Sequence, residues 1–182
     1  EKTLEKWLKI LSEQTVISID TETSSLNPIE TDLVGLSFSY KPGKACYIPI
    51  AHKNIKGLKK DLVLKKIKPI LEDSSIKKVG QNIKFDYIVL KQHGIITQSI
   101  EDTMLISYTL DAGINRHNLD TLSEIHLNHK TISYKELVGS GKNKLNFSDI
   151  NLKEATEYAA EDADVTLRLY NKLKERLDEE KL

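Results

Sequence analysis

Val-Ile-Ser-Ile-Asp-Thr-Glu, residues 16–22, predicts an apolar central strand that ends in two acidic residues. Side chains alternate between the two faces of a strand, so Asp20 and Glu22, two positions apart, point to the same side. Two like charges this close repel each other unless a positive charge lies between them. The stretch therefore predicts a buried strand whose end presents a cation site.

Strand-like and helical segments alternate on both sides of this stretch. Two apolar runs, 33–40 and 45–50, flank a turn with proline and glycine and predict an antiparallel hairpin, and a short strand is expected at 77–80. Helical spacing of apolar residues covers the ranges 1–11, 58–71, 83–92, 102–110, 119–127 and 152–180. The pattern predicts an α/β fold with a mixed central sheet of three antiparallel strands plus parallel strands, flanked by helices, in one domain over residues 1–182.

Composition limits the classes of protein that fit the chain. Lys plus Arg equals Asp plus Glu at 27 each, so any attraction for nucleic acid has to come from a local basic surface. The single cysteine, Cys46, excludes an internal disulfide and a cysteine-based zinc site, and it fits a reducing compartment. The sequence contains no apolar run of about 18 residues, the length that would predict a membrane span. We expect a cytoplasmic monomer with no membrane contact.

The last helix carries a second set of polar residues. Asp162 falls on its apolar stripe, where an unpaired carboxylate would be costly to bury, so it is expected to be paired, protonated or bound to a cation. Tyr158 lies four residues earlier on the same face, which places a phenol beside the carboxylate. Glu161 and Asp164 point elsewhere on the helix and are interpreted as solvated surface charges.

A third set begins the helix at 83–92. Asn82 and Asp86 are four residues apart and are expected to project from the same face, while Gly80 permits a tight turn or a close approach just before them. Oxygen ligands of this kind favour Mg²⁺ or Mn²⁺ over zinc. His126 and His129 are interpreted as surface residues of a helix. Four carboxylates are expected to point inward: Asp20, Glu22, Asp86 and Asp162.

Each of these features also has a purely structural interpretation. Asp20 and Glu22 would suit an ordinary strand end, and Asp162 would suit a core carboxylate satisfied by arginine or backbone donors. Tyr158 alone is more typical of core packing than of catalysis. The combination of all the features in one chain favours a functional site.

The three sets together resemble a known family. Asp20-Thr21-Glu22, residues 82–86 and residues 158–162 are similar, in this order, to the three motifs of the DEDDy branch of the DnaQ-like 3′→5′ exonucleases, in the ribonuclease H-like superfamily. The flanking sequence resembles the proofreading domains of bacterial DNA polymerase I over residues 15–170. The resemblance implies a ribonuclease H-like sheet and hydrolysis of a single-stranded DNA 3′ end or frayed primer terminus. It also implies a covalently linked polymerase domain.

The resemblance further implies a role for each residue of the motifs. Asp20 would bridge two divalent cations, Mg²⁺ or Mn²⁺, with Glu22 and Asp162 completing one site and Asp86 the second. Tyr158 would orient the attacking water, because a phenol with a pKa near 10 is a poor base at pH 7. Leu26 would wedge near the terminal bases and Phe147 would stack on the 3′ base. Contacts to the terminal phosphates or the 3′ nucleotide would come from Gln81, Asn82 and Arg116. Apart from the resemblance, Lys142 and Lys144 in the glycine-bearing segment 139–144 are expected to add local positive charge.

Two other functions remain open from the sequence. An RNA exonuclease of the ribonuclease D type shares the same three motifs, but the flanking sequence favours the DNA polymerase I type. A catalytically silent structural domain is the other alternative, and the intact acidic residues and tyrosine argue against it.

Overall fold

The computed structural model describes residues 1–53, 55, 58–141 and 144–182. The strands are β1 (Val16–Thr23), β2 (Leu33–Lys41), β3 (Lys44–Pro49), β4 (Lys77–Gly80) and β5 (Ile100–Asp102). The helices are α1 (Lys2–Ser12), α2 (Lys60–Glu72), α3 (Ile83–Gln92), α4 (Thr103–Asp111), α5 (Leu119–Leu127), α6 (Tyr134–Val138) and α7 (Leu152–Glu179), with a 3₁₀ turn at Phe147–Asp149. None of the helices in these ranges is long and apolar enough to cross a membrane.

The five strands form one mixed sheet in the order β3-β2-β1-β4-β5. The pairs β1–β2 and β2–β3 are antiparallel, whereas β1–β4 and β4–β5 are parallel. This confirms the predicted sheet with three antiparallel strands. Strand β5 and helix α6 were not predicted, because three and five residues are too short to show a periodic pattern.

The two faces of β1 have different partners, which is why its apolar and polar residues alternate. Ile17 and Ile19 are buried in the core that β1 shares with α1, α2 and α3. Ser18 points to the opposite face and donates a 2.6 Å hydrogen bond from Oγ to the carbonyl oxygen of Ala163 in α7. Asp20 follows Ser18 on that face, so the same alternation directs its carboxylate towards α7.

Helix α7 can lie close to the sheet because its inner face has small side chains. Ala155, Ala159 and Ala163 are fully buried there. Asn151 caps the helix, since its side-chain oxygen accepts a hydrogen bond from the Lys153 amide at 2.9 Å. This close approach brings the Asp162 side chain to the end of β1.

Asp102 joins the first turns of α3 and α4. Its carboxylate accepts hydrogen bonds from the amides of Asn82 (2.9 Å), Ile83 (3.1 Å) and Met104 (2.9 Å). The sequence placed Asp102 as the first residue of a helix, but it ends β5 and caps α4 instead. A Cβ on Gly80 would lie 2.7 Å from the Ile83 Cβ, so this turn requires glycine for close approach, as expected.

Candidate active site

Three carboxylates converge where β1 meets α7. Ligand oxygens of Asp20, Glu22 and Asp162 all lie within 4.8 Å of one another. Asp20 and Glu22 project from the same face of β1, and Asp162 reaches them from α7. The i, i+2 spacing on the strand and the inward direction of Asp162 therefore produce the expected cluster.

Asp86 approaches the cluster from the other face of the strand. Its Oδ1 accepts hydrogen bonds from the Thr21 amide at 2.9 Å and from the Thr21 hydroxyl at 2.6 Å. The side chain is only 2% exposed and lines the same cleft as the three clustered carboxylates. Asp86 is thus a neighbour of Asp20 rather than a member of the three-residue cluster.

Burial and mutual repulsion strongly perturb these acids. Desolvation, followed by repulsion from Asp162, raises the pKa of Asp20 to about 8. Desolvation also raises the pKa of Asp162 to about 7, although the Tyr158 hydroxyl partly opposes the shift. The pKa values of Glu22 and Asp86 are raised well above their usual range, first by desolvation and then by the charge of Asp20. Every charged group that raises the pKa of Glu22 is another carboxylate.

The donor set of this cluster suits a hard divalent cation. Carboxylate oxygens are the ligands that Mg²⁺ and Mn²⁺ prefer. Glu22 Oε1 is buried and has no hydrogen-bond partner among the described residues, which is costly for an acceptor unless a cation completes it. Asp20, Glu22 and Asp162 would hold such an ion.

Tyr158 lies between two aromatic rings at the edge of the cluster. Its ring centroid is 5.8 Å from that of Tyr134 and 6.0 Å from that of Phe147. Desolvation, and then the charge of Asp162, raises the pKa of the Tyr158 phenol far above its usual value. A raised pKa keeps the phenol protonated, which suits a hydrogen-bonding group and not a base.

An open cleft of about 660 Å³ leads to the carboxylates. Leu26 stands at its rim with 87% of its surface exposed, which is unusual for an apolar side chain and leaves it free to contact a ligand. Tyr134 and Lys144 form part of the wall, with the Lys144 Nζ 5.5 Å from the centre of the Tyr134 ring. Asn82 also lines the cleft, in a left-handed backbone conformation at the start of α3.

Gln81 lines the cleft too, but its amide is already engaged. Its Nε2 donates to the His117 carbonyl oxygen at 2.7 Å, and its Oε1 accepts from the Thr103 hydroxyl at 2.5 Å. Arg116, next to His117, is exposed and lies outside the described cleft wall. Lys142, expected to add positive charge, lies outside the described residues.

Phe147 does not have the position that the sequence suggested. It is 1% exposed and packs between Tyr47 and Tyr158, so neither ring face is free to stack on a base. Among the described aromatic residues that line the cleft, Tyr134 is exposed, at 37%, whereas Phe85 and Tyr158 are half-buried. No periodic pattern predicted its position, because Tyr134 begins a five-residue helix after an irregular loop.

Three surface interpretations were also wrong: those of Glu161 and Asp164 on α7, and that of His129, which lies beyond the end of α5. Glu161 accepts hydrogen bonds from His129 Nε2 at 2.9 Å and from the Ile132 amide at 2.6 Å, so both residues are held in the structure. Asp164 accepts a 2.6 Å hydrogen bond from the Gly43 amide in the turn between β2 and β3. Helix position alone did not reveal these contacts because their partners are distant in sequence.

Comparison with known sequences places these residues in a family context. A family model described as 3′-5′ exonuclease matches residues 1–178. DNA polymerase I of Rhizobium leguminosarum is 43% identical over 198 residues, covering 96% of this chain and 19% of that protein. DNA polymerase I of Pseudomonas aeruginosa is also 43% identical, over 94% of this chain and 20% of that protein. The chain spans about a fifth of the length of these relatives.

Solved structures with the same fold include nucleases. Brucella melitensis NrnC is 26% identical with a TM-score of 0.71, over 93% of this chain and 76% of that chain. Escherichia coli RNase D has a TM-score of 0.74 over 98% of this chain and 44% of that chain, but at 17% identity it supports the ribonuclease H-like fold alone. The matched family model spans the whole sheet and the acidic cluster, which establishes that the chain belongs to the 3′-5′ exonuclease family.

Proposed function

We propose that the chain hydrolyses the terminal phosphodiester of single-stranded or frayed DNA from the 3′ end and releases nucleoside 5′-monophosphates. The observation that carries this proposal is the group of three carboxylates, with oxygens within 4.8 Å, at an open cleft. Membership of the 3′-5′ exonuclease family supports the direction of cleavage. The 43% identity to DNA polymerase I from two organisms supports DNA as the substrate.

The proposal requires divalent cations, Mg²⁺ or Mn²⁺, at the acidic cluster. Asp20, Glu22 and Asp162 would hold the first, and Asp86 with Asp20 would hold a second. Divalent cations bound there would lower the pKa of the attacking water and neutralise the charge that develops on the leaving 3′ oxygen. A Brucella melitensis NrnC structure with bound Mg²⁺, 27% identical to this chain, supports the use of such an ion.

Tyr158 orients the attacking water in this scheme. Its raised pKa keeps the phenol protonated, so it can hydrogen-bond to a water molecule but does not remove the proton. Packing between the rings of Tyr134 and Phe147 fixes its direction. Phe147 therefore contributes by packing against the Tyr158 ring.

The cleft wall provides contacts for a single strand. Leu26 would wedge against the terminal bases, and the partly exposed ring of Tyr134 would stack on the 3′ base, a contact that tolerates any base. Lys144 would attract the phosphate backbone. Hydrogen bonds to the 3′ nucleotide or its phosphates would come from Asn82 and Gln81, and Arg116 would contact a phosphate beyond the cleft.

The relatives suggest the setting of this activity. Because they are about five times longer than the chain, we propose that residues 1–182 act as one proofreading domain covalently linked to a polymerase. We place the protein in the cytoplasm, where bacterial DNA polymerase I meets its DNA substrate. We propose that the active unit is a monomer.

RNA is the second candidate substrate, because RNA exonucleases of the ribonuclease D type share the three motifs that contain Asp20, Asp86 and Asp162. Brucella melitensis NrnC, 26% identical, has been solved bound to pGG. A short oligonucleotide of that kind would reach the carboxylates of this cleft as well. The lower identity of NrnC, against 43% for DNA polymerase I, makes DNA the first choice.

One assay tests both substrates and the direction of cleavage. Single-stranded DNA and RNA of the same sequence, labelled at the 5′ end, are incubated with the chain in Mg²⁺, Mn²⁺ or chelator. We expect a ladder of labelled products that shortens from the 3′ end on DNA and disappears with chelator. A ladder on RNA alone would select the second candidate, and no shortening of either strand with both ions would contradict the proposed function.

A further inference from the structure

The loop between α5 and α6, residues 128–133, presents Tyr134 to the cleft. We propose that Glu161 is a positioning residue for the substrate, because its carboxylate holds this loop and thereby the Tyr134 ring. The inference rests on the proposed function, in which Tyr134 stacks on the terminal base. Glu161 itself does not touch the substrate in this scheme.

Both oxygens of Glu161 are engaged by the loop. Oε1 lies 2.9 Å from His129 Nε2, and Oε2 accepts a 2.6 Å hydrogen bond from the Ile132 amide. An ionised carboxylate accepts hydrogen bonds and cannot donate one. The hydrogen bond to Glu161 therefore requires a proton on His129 Nε2. Because both oxygens already have donors, Glu161 is not a further ligand of the acidic cluster, although Asp162 is its neighbour in sequence.

Ile132, whose amide donates to Glu161, lies two residues before Tyr134 in the sequence. Tyr134 begins α6, and its ring lies against that of Tyr158 with 5.8 Å between centroids. Tyr158 and Glu161 are three residues apart and therefore share one face of α7. One face of α7 therefore binds the loop backbone through Glu161 and packs against the Tyr134 ring through Tyr158.

The rest of the loop is held mainly by α5. The Thr131 hydroxyl donates to Asp120 at 2.7 Å, and the Ser123 hydroxyl donates to the His129 carbonyl oxygen at 2.8 Å. These contacts restrain the loop against α5 but do not reach Ile132. Glu161 is the contact that ties the end of the loop nearest Tyr134 to the helix bearing Asp162.

Kinetic constants on a 5′-labelled DNA oligonucleotide test this role. We expect Glu161→Ala to raise KM about tenfold, the equivalent of losing about 1.4 kcal/mol of binding, while kcat changes less than about twofold. Glu161→Gln retains an oxygen for the Ile132 amide, and its NH2 group can donate to His129 Nε2 when the neutral ring carries its proton on Nδ1, so its KM should stay within about threefold of wild type. Glu157→Ala removes an exposed carboxylate one turn earlier on α7 and is the matched control. It should leave KM unchanged.

A double-mutant cycle shows whether Glu161 acts through Tyr134. In a Tyr134→Ala background, Glu161→Ala should cause no further increase in KM, because the ring that the loop positions is gone. Independent, multiplying effects on KM would overturn the inference. Equal KM values for Glu161→Ala and Glu161→Gln would also overturn it, since they would assign the effect to charge instead of hydrogen bonding.

Equilibrium binding separates this inference from the proposed function. The same cycle is measured with a fluorescent oligonucleotide in chelator, where no turnover is needed. Binding by wild type without cleavage in any ion would contradict the proposed function, and the cycle in Kd would still decide the role of Glu161. A wild-type chain that does not bind the oligonucleotide would overturn both.

Discussion

Thr21 fixes Asp86 through two hydrogen bonds to the same oxygen, one from its amide at 2.9 Å and one from its hydroxyl at 2.6 Å. Thr21 lies between Asp20 and Glu22 in β1 and points to the opposite face of the strand. One strand end therefore presents two carboxylates directly and holds a third, on α3, by its intervening residue. This arrangement relates the position of Asp86 to the three-carboxylate cluster.

Thr21→Val tests this link between the strand and α3. The substitution preserves shape and the amide contact but removes the hydroxyl, and a hydrogen bond to a charged group contributes about 1.5–3 kcal/mol. We expect hydrolysis to fall about tenfold or more, as the Asp86 carboxylate loses its fixed orientation. Thr109→Val on the exposed side of α4 is the control. A Thr21→Val rate equal to that of the control would show that Asp86 needs no such support.

Asp20→Asn separates catalysis from stability. The pKa of Asp20 is raised from 3.8 to about 8, so ionising it costs free energy in the folded, metal-free protein. Between pH 3.8 and about 8, Asp20 keeps its proton in the folded state but loses it in the unfolded state. The free energy of unfolding therefore falls as the pH rises through this range. We expect Asp20→Asn to abolish hydrolysis and, in chelator at pH 9, to unfold at a higher denaturant concentration than wild type. Lower stability of Asp20→Asn at that pH would contradict the assigned burial cost.

Uptake of a divalent cation should release protons. The carboxylates must be ionised to bind a metal ion, and the pKa values of Asp20 and Asp162 are raised to about 8 and about 7. Mg²⁺ or Mn²⁺ should therefore bind more weakly at pH 6 than at pH 9. Calorimetry in two buffers of different ionisation enthalpy should detect proton release at pH 6 that is much smaller at pH 9. Release that is independent of pH would place the ion elsewhere.

Tyr158→Phe tests the orientation of the attacking water. The substitution removes only the hydroxyl and preserves the packing against Tyr134 and Phe147. We expect kcat to fall about 10²-fold, the size typical of a group that assists proton handling, with unchanged affinity for the metal ion. Tyr170→Phe is the control, because Tyr170 lies on the same helix as Tyr158 and the substitution removes a hydroxyl that contacts Lys77 of β4. Retention of the wild-type kcat would reduce Tyr158 to a packing residue.

The sequence predicted those parts of the site that depend on regular periodicity. Alternation along β1 determined the common direction of Asp20 and Glu22, and helical spacing determined that of Tyr158 and Asp162. Tyr134 and Glu161 were missed because their partners are brought together by the irregular loop at 128–133, which has no period. Phe147 was misplaced because sequence does not distinguish a buried aromatic ring from one that lines a cleft.

Asp102 illustrates the same limit within the fold. Its carboxylate accepts three backbone hydrogen bonds that start two helices, but only its contact with Met104 is local in sequence. The contacts with Asn82 and Ile83 depend on the parallel pairing of β4 with β5. A three-residue strand gave no signal for that pairing.

The most direct test of the account is the position of a bound ion in crystals soaked with Mn²⁺. We expect an anomalous scattering peak in contact with oxygens of Asp20, Glu22 and Asp162, and no such peak in Asp20→Asn crystals soaked in the same way. A wild-type crystal with no peak at these carboxylates, from protein that degrades DNA from the 3′ end in Mn²⁺, would contradict it.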